Sequence, residues 1–242
     1  MSVGLAGLLL VSGAASVSAA DKPLAGKVIV IDPGHQLGNS NPKFAKQMSQ
    51  TRFNGSIVKG CNTTGTATNA GLPEATFTWN VANELKRKLE LQGATVRMTR
   101  TANLRNMWGP CVWDRAGFAN AAKADAMISI HGDGAPSSGR GFFVLAPGRI
   151  KGWTDDVVKV DRRLAKAMIG GMAAAGGVPS NYVSDQLMIR KDQSTLNFSN
   201  VPTVIIEMGN MRNKSDAALM SSAAGQRVYA EWLLAGIDRF FG

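Results

Sequence analysis

The sequence predicts a single α/β domain: a mostly parallel, twisted sheet with helices on both faces. Three observations predict it. Short, β-branched apolar runs at Val28–Ile31, Ala126–Ile130 and Thr203–Ile206 have the composition of strands buried on both faces. Segments of helical period alternate with them, the pattern that parallel βαβ packing produces. The chain has 242 residues, 45% of them apolar, enough for one good core and no more than one domain.

Taken in order, Val28–Ile31 stops at Asp32-Pro33-Gly34, a turn composition that delivers His35. Residues 36–72 are polar, with turn residues throughout (NSNP, NGS, CNTTGTATNAG), and a loop of that length in a compact domain is usually a lid or binding loop. Pro73 opens a helix, a favoured first-turn position. On it Phe77, Val81, Leu85 and Leu89 recur every fourth residue, and Gly93 ends it. Ala94–Thr99 alternates like a strand. Asp114 onwards, with Phe118 and Ala121-Ala122, forms a short helix leading to the Ala126–Ile130 strand. Gly141–Ala146 is a further strand, and Val157–Met172 is a helix whose Gly170-Gly171 weakens its end. Thr203–Ile206 is the last buried strand, and Trp232–Phe241 is a C-terminal helix that packs back on the sheet. No internal repeat or inter-domain linker breaks residues 21–242.

The formal net charge is +10 and the pI is near 10. Such a balance favours a polyanionic partner: nucleic acid, an anionic membrane or an acidic cell-wall polymer. The chain has no dense Lys/Arg run and no aromatic-plus-basic RNA motif, so nucleic acid is the weaker of these. Residues 1–20 have the features of a secretory signal. Leu5 to Val11 is a short apolar core and Ser18-Ala19-Ala20 is a small-residue ending, although the usual positive charge before the core is missing. The segment is too short to span a bilayer. It predicts export, to the periplasm, the cell wall or the medium, with the mature domain starting near Asp21. The two cysteines, Cys61 and Cys111, lie in Gly/Pro/Asn-rich loops and fit one disulfide in an exported protein. Neither belongs to a CxxC pair, which weighs against a metal role. The bridge would stabilise the fold by roughly 3–4 kcal/mol through its effect on the unfolded chain.

His35 and His131 are the only histidines, and both follow apolar strands. If those strands are parallel neighbours, both imidazoles emerge at the carboxyl edge of the sheet, where ligands bind in open α/β folds. They are candidate metal ligands, against the plainer reading of two hydrogen-bonded structural histidines. Asp32 and Asp133, each near a histidine, are either competing ligands or groups that orient an imidazole. Glu207 ends the TVIIE run, where an acid is costly unless paired, bonded to backbone or bound to a metal. Glu74 is either a ligand or an ordinary acidic partner of a helix N-terminus.

Four ordered motifs carry a resemblance along nearly the whole of residues 21–242: VIVIDPGH, EATFTWNVANELKRKLELQGATVRMTR, DRAGFANAAKADAMISIHGDG and VPTVIIEMGNMRN. They resemble the zinc-dependent N-acetylmuramoyl-L-alanine amidases of the Amidase_3 type, in a compact form with the catalytic domain alone. The resemblance implies one zinc ion held by His35, Glu74 and His131, with Glu207 as the catalytic carboxylate. It implies hydrolysis of the amide between the lactyl group of N-acetylmuramic acid and L-alanine of the stem peptide. Zinc would activate the attacking water, and Glu207 would take its proton and pass it to the leaving amine. The partner implied is peptidoglycan or muropeptide fragments, met by a monomer with no stable membrane insertion once the signal is removed. Arg115 and Asn120 also match the pattern and are read as structural. Where relatives carry a Gly-rich, Asp-containing loop after the first His, this chain has Gln36-Leu37-Gly38, and Glu74 comes only after a long insertion. That insertion, residues 36–72, is expected to form a flap over one side of the cleft, pinned by Cys61 and Cys111. With no inhibitory helix or wall-binding domain evident, constitutive activity is expected, the positive charge supplying weak attraction to the wall. The rival classes are a zinc-bound but inactive wall-binding protein, a non-metal module that holds an anionic ligand at the DPGH turn, and a peptidase cutting stem-peptide bonds.

Overall fold

The computed structural model describes Met1 and residues 22–242. The signal predicted over residues 1–20 therefore lies, Met1 aside, outside the described residues. The elements are β1 (Val28–Pro33), α1 (Ala45–Met48), β2 (Thr51–Phe53), β3 (Val58–Gly60), α2 (Glu74–Leu91), β4 (Thr95–Met98), α3 (Val112–Ala121) and β5 (Ala126–Asp133). They continue as β6 (Phe143–Pro147), α4 (Val158–Ala174), β7 (Leu187–Arg190), α5 (Ser194–Asn197), β8 (Thr203–Asn210), α6 (Lys214–Met220) and α7 (Ala223–Phe241).

Six strands form one sheet in the order β4-β1-β5-β8-β6-β7. The first four run parallel, β6 is antiparallel to β8, and β7 is parallel to β6. The three apolar runs seen in the sequence are thus the three adjacent central strands β1, β5 and β8. Strand alternation sorts their side chains between two layers. Ile29, Ile31, Ile128, Ile130, Val204 and Ile206 enter the larger core under α2, α4 and α7. Val30 and Met127 pack with Ala119 of α3 on the other face, and Ile205 and Leu145 pack with Leu196 of α5. Because both faces are covered, both side-chain sets must be apolar, hence the continuous runs.

The helix α2 follows the expected period, with Phe77, Val81, Leu85 and Leu89 all fully buried. The C-terminal helix is longer than the sequence predicts. Ser222 caps it by accepting the Gly225 N–H at 3.0 Å. Gly225 is needed there: a Cβ would sit 1.9 Å from the Leu219 carbonyl oxygen, so only glycine lets α6 turn this tightly into α7. The helix α7 lies against α2 and α4 and sends Tyr229, Leu233 and Ile237 into the core. Among the described residues, no helix is long and apolar enough to cross a membrane.

The insertion after β1 is ordered. Its β2–β3 hairpin pairs Arg52 with Lys59 and Phe53 with Val58. The turn places Gly55 at φ +88°, the first central position of a tight hairpin turn. Asn54 pins that turn to the body. Its side-chain nitrogen donates to the Asp192 carbonyl at 3.1 Å and to Ser194 Oγ at 3.2 Å, and its own carbonyl accepts from Asn197 Nδ2 at 2.9 Å. At the other end Cys61 and Cys111 form the expected disulfide, tying the hairpin's base to the start of α3.

The paired glycines of α4 have separate roles. A Cβ on Gly171 would lie 2.4 Å from the backbone oxygen of Ala235, where α4 meets α7. A Cβ on Gly170 would meet only the Arg239 side chain, at 3.0 Å. Alanine favours helices by about 1 kcal/mol over glycine. Gly170→Ala should therefore stabilise by about 0.5 kcal/mol, while Gly171→Ala should destabilise by about 1–3 kcal/mol through overpacking against backbone. Urea denaturation of the two variants measures the difference in sign.

Candidate active site

Because β1, β5 and β8 are parallel neighbours, the groups at their carboxyl ends converge. His35 follows β1, His131 lies near the end of β5, and Glu207 stands opposite His131 in register on β8. A register shift between His131 and Asp133 bends β5 at this edge. Glu74 arrives from the first residue of α2, buried, with its N–H donating to the Thr66 carbonyl at 2.9 Å.

One carboxylate oxygen of Glu74 lies 3.0 Å from His35 Nε2 and 3.0 Å from His131 Nδ1. The same oxygen accepts the Gly132 N–H at 3.1 Å, and its partner oxygen accepts the Thr66 N–H at 2.9 Å. His35 Nδ1 lies 3.0 Å from the Thr63 carbonyl, which can only accept. The proton therefore belongs on Nδ1, leaving the Nε2 lone pair aimed at Glu74. Lone pairs of one carboxylate and two imidazoles facing each other repel unless a proton or a cation lies among them. Burial works against a charged His35, but Glu74 and the Thr63 carbonyl outweigh it and raise its pKa. Burial likewise works against ionised Glu74, and the two histidines overcome it and lower its pKa. The donor atoms of His35, Glu74 and His131 all lie within 4.8 Å of one another. Two imidazole nitrogens and one carboxylate, with a side open to a cleft, fit the donor set of a catalytic zinc ion.

Glu207 faces the same cleft, and its Oε2 is buried without a hydrogen-bond partner among the described residues. Burial, then the negative charges of Glu74 and Asp133, push its carboxyl well above the ordinary range. The cleft encloses about 410 Å³, and its lining includes Lys59 and Gly60 of the hairpin together with residues 193–195.

The family profile described as N-acetylmuramoyl-L-alanine amidase, Amidase_3, matches residues 29–239. The chain belongs to that amidase family. It is 38% identical over 228 residues to an N-acetylmuramoyl-L-alanine amidase of Mycobacterium tuberculosis, covering 93% of this chain and 90% of that one. It is 27% identical to a probable cell wall amidase of Staphylococcus aureus, covering 90% of this chain but 60% of that protein. The crystal structure of an amidase from Mycobacterium smegmatis superposes with a TM-score of 0.83 at 35% identity, covering 90% of this chain and 98% of that one. The protein is a hydrolase of this class, with the mostly parallel α/β fold of its relatives.

Asp32 does not join the amidase cluster. It points to the opposite layer, where its oxygens accept from Arg115 at 2.7 Å, Ser129 at 2.6 Å and Thr99 at 2.5 Å. Arg115 also donates to the carbonyls of Pro33 and His35, each at 2.8 Å. Asn120 bridges α3 to the Phe198 carbonyl and the Asn200 N–H. Both matched residues are therefore structural, as the sequence indicates. Asp133 lines the cleft, and its carboxylate accepts the Tyr182 hydroxyl at 2.7 Å.

Sequence reasoning missed three contributors. Arg100, the last residue of the MTR triplet, donates to the carbonyls of Pro33 at 3.0 Å and Ala75 at 2.8 Å, clamping both the DPGH turn and the start of α2. Its place after a strand was visible, but an arginine there reads as a surface group until its burial is known. Thr66 supports Glu74 through backbone atoms, which leave no side-chain signature, and Thr63 meets His35 Nδ1 with its carbonyl and, at 3.1 Å, its hydroxyl.

Burial raises the Asp32 pKa, but Arg115 and the three hydrogen bonds outweigh it, so the net shift is downward from 3.8. A folded-state pKa below the unfolded one contributes stability that is present above about pH 4 and lost as pH falls through the folded value. Asp32→Asn should cost about 3–5 kcal/mol at neutral pH, because Arg115 is left buried without its partner. Denaturant melts between about pH 4 and pH 2 should be flatter for this variant than for the wild type.

Proposed function

We propose that the chain is a zinc-dependent amidase that hydrolyses the bond between the lactyl carbonyl of N-acetylmuramic acid and the L-alanine nitrogen of the stem peptide. One observation carries the reading: His35, Glu74 and His131 converge in a cleft that Glu207 also lines, and the buried Oε2 of Glu207 has no hydrogen-bond partner among the described residues. His35, Glu74 and His131 hold the ion. Zinc bound there would supply a Lewis acid that polarises the scissile carbonyl and acidifies water. Glu207 accepts the proton of the attacking water and delivers it to the leaving nitrogen, which departs as an amine. A carboxyl group lining the cleft beside the three ligands is the kind of group that performs both halves of that transfer. The hydrogen bond from His35 to Thr63 and those from Gly132 and Thr66 to Glu74 orient the two side chains before any substrate arrives.

Residues 36–72 form a flap over one side of the cleft, pinned by the Cys61–Cys111 bridge and, at the hairpin turn, by Asn54. Export follows from the apolar core and small-residue ending within residues 1–20, and places the protein where peptidoglycan is found, as a monomer acting on the polymer or its fragments. The net charge of +10 supplies attraction to an acidic wall, weakening as salt is added.

The test is digestion of purified peptidoglycan and muropeptides by residues 21–242, with and without chelator, and mass spectrometry of the products. Stem peptides should be released with a free L-alanine amine, and chelation should abolish release. Glu207→Ala should lower turnover by about 10²–10⁴-fold while zinc content stays at one per chain. Deletion of 41–68 should also abolish turnover, since it removes the supports of His35 and Glu74. Wall binding without release would overturn the proposal in favour of a binding protein, and cleavage inside the stem would make the chain a peptidase.

A further inference from the structure

The charges lining the cleft are unevenly sourced. Glu74, Asp133 and Glu207 come from the sheet edge and α2. Among the described residues, Lys59 of the hairpin is the only lysine or arginine lining it. Its strand partner Arg52 is engaged elsewhere, stacked 4.9 Å from the Phe198 ring.

Lys59 is placed firmly but left without a full counter-charge. The hairpin that carries it is bonded at both ends, so the position of its backbone is set. Its nearest acid is Asp192, at 3.7 Å, beyond hydrogen-bond reach. Asp192 is already neutralised by Arg190, which grips both its oxygens, at 2.7 and 2.6 Å. Two cations and one carboxylate leave one positive charge over. The Lys59 side chain keeps 37% of its surface accessible, enough to meet a ligand. Around it, Gln193, Ser194 and Thr195 bring uncharged polar groups to the wall, above an apolar floor of Leu145 and Ile205.

We infer that Lys59 is a specificity-determining residue that takes a free carboxylate on the peptide portion of the substrate. The inference rests on the amidase reading and adds the direction in which the substrate lies. In that substrate the single carboxyl of muramic acid is consumed in the scissile amide, so the sugar offers only hydroxyls and acetamido groups. Every free carboxylate is on the peptide, starting with the acidic residue after alanine. The hairpin side of the cleft is therefore the peptide side, and the sugar extends away from it. A carboxamide in place of that carboxylate gives Lys59 no charge to meet.

The experiment uses zinc-loaded protein and two product analogues, L-alanyl-D-glutamate with its γ-carboxyl capped as a methylamide, and the same compound with the α-carboxylate converted to a carboxamide. Calorimetry should show the acid bound roughly tenfold more tightly than the amide. Lys59→Gln should bring the ratio close to one, Lys59→Arg should keep it, and Asp192→Asn should raise it by removing a competing negative charge. With the matching muropeptides, Lys59→Gln should raise KM for the acid form while leaving kcat unchanged. A wild-type ratio of one, or a ratio unchanged in Lys59→Gln, overturns the inference even if the protein cleaves muropeptides normally. A ratio that depends on Lys59 in a protein that releases no stem peptide would uphold the carboxylate site and overturn the amidase reading instead.

Discussion

The site depends on one buried ion pair, Arg115 with Asp32, at the carboxyl end of β1. Asp32 accepts from Ser129 and Thr99 besides Arg115, and Arg115 also donates to the carbonyls of Pro33, His35 and Pro110. Arg100 takes the Pro33 carbonyl from the other side. The turn between strand and histidine is thereby held by two arginines. That restraint keeps His35 at φ +59°, a left-handed conformation that a residue with a side chain rarely adopts. It also explains Gly34, whose Cβ would lie 2.4 Å from the His131 ring. The two imidazoles lie 4.8 Å apart between ring centres. A buried pair of this kind is weak evidence for stability, since its desolvation offsets most of the attraction. What it contributes here is geometry.

From that fixed point the rest of the centre follows by topology. The central strands are parallel, so their ends coincide, and the first turn of α2 brings Glu74 between the histidines. The insertion then closes the site from above, and it does so with backbone atoms of Thr63 and Thr66 as well as with its hairpin. A segment that looks in sequence like an added loop is thus part of the support of His35 and Glu74.

Much of this was legible in the sequence. The three central strands are apolar on both faces and bounded by turn residues, so β1, β5 and β8 stand out, as does the four-residue period of α2. The elements that escaped were short or locally disguised. The strand β7 is a four-residue, half-exposed edge with one β-branched residue, and β2 and β3 have three residues each, too few for alternation to register. The first turns of α7, Ala223 onwards, lay outside the stretch read as helix. The antiparallel β6 has the same composition as its parallel neighbours, and strand direction leaves no trace in so short a run. His35, His131 and Glu207 were visible from their places after strands. Glu74 was not separable from a helix-capping acid by spacing alone, and only its resemblance to a family pattern lifted it. Asp32 shows the converse: its nearness to a histidine suggested a ligand, but strand alternation turns it to the opposite layer, toward Arg115.

The account stands on the metal centre, and anomalous diffraction at the zinc edge from crystals of the purified protein tests it most directly. It predicts a single strong peak bounded by His35, Glu74 and His131, with Glu207 nearby and outside the ligand set. A centre with no peak in zinc-supplemented crystals, or a peak whose ligands include Asp32, would contradict it.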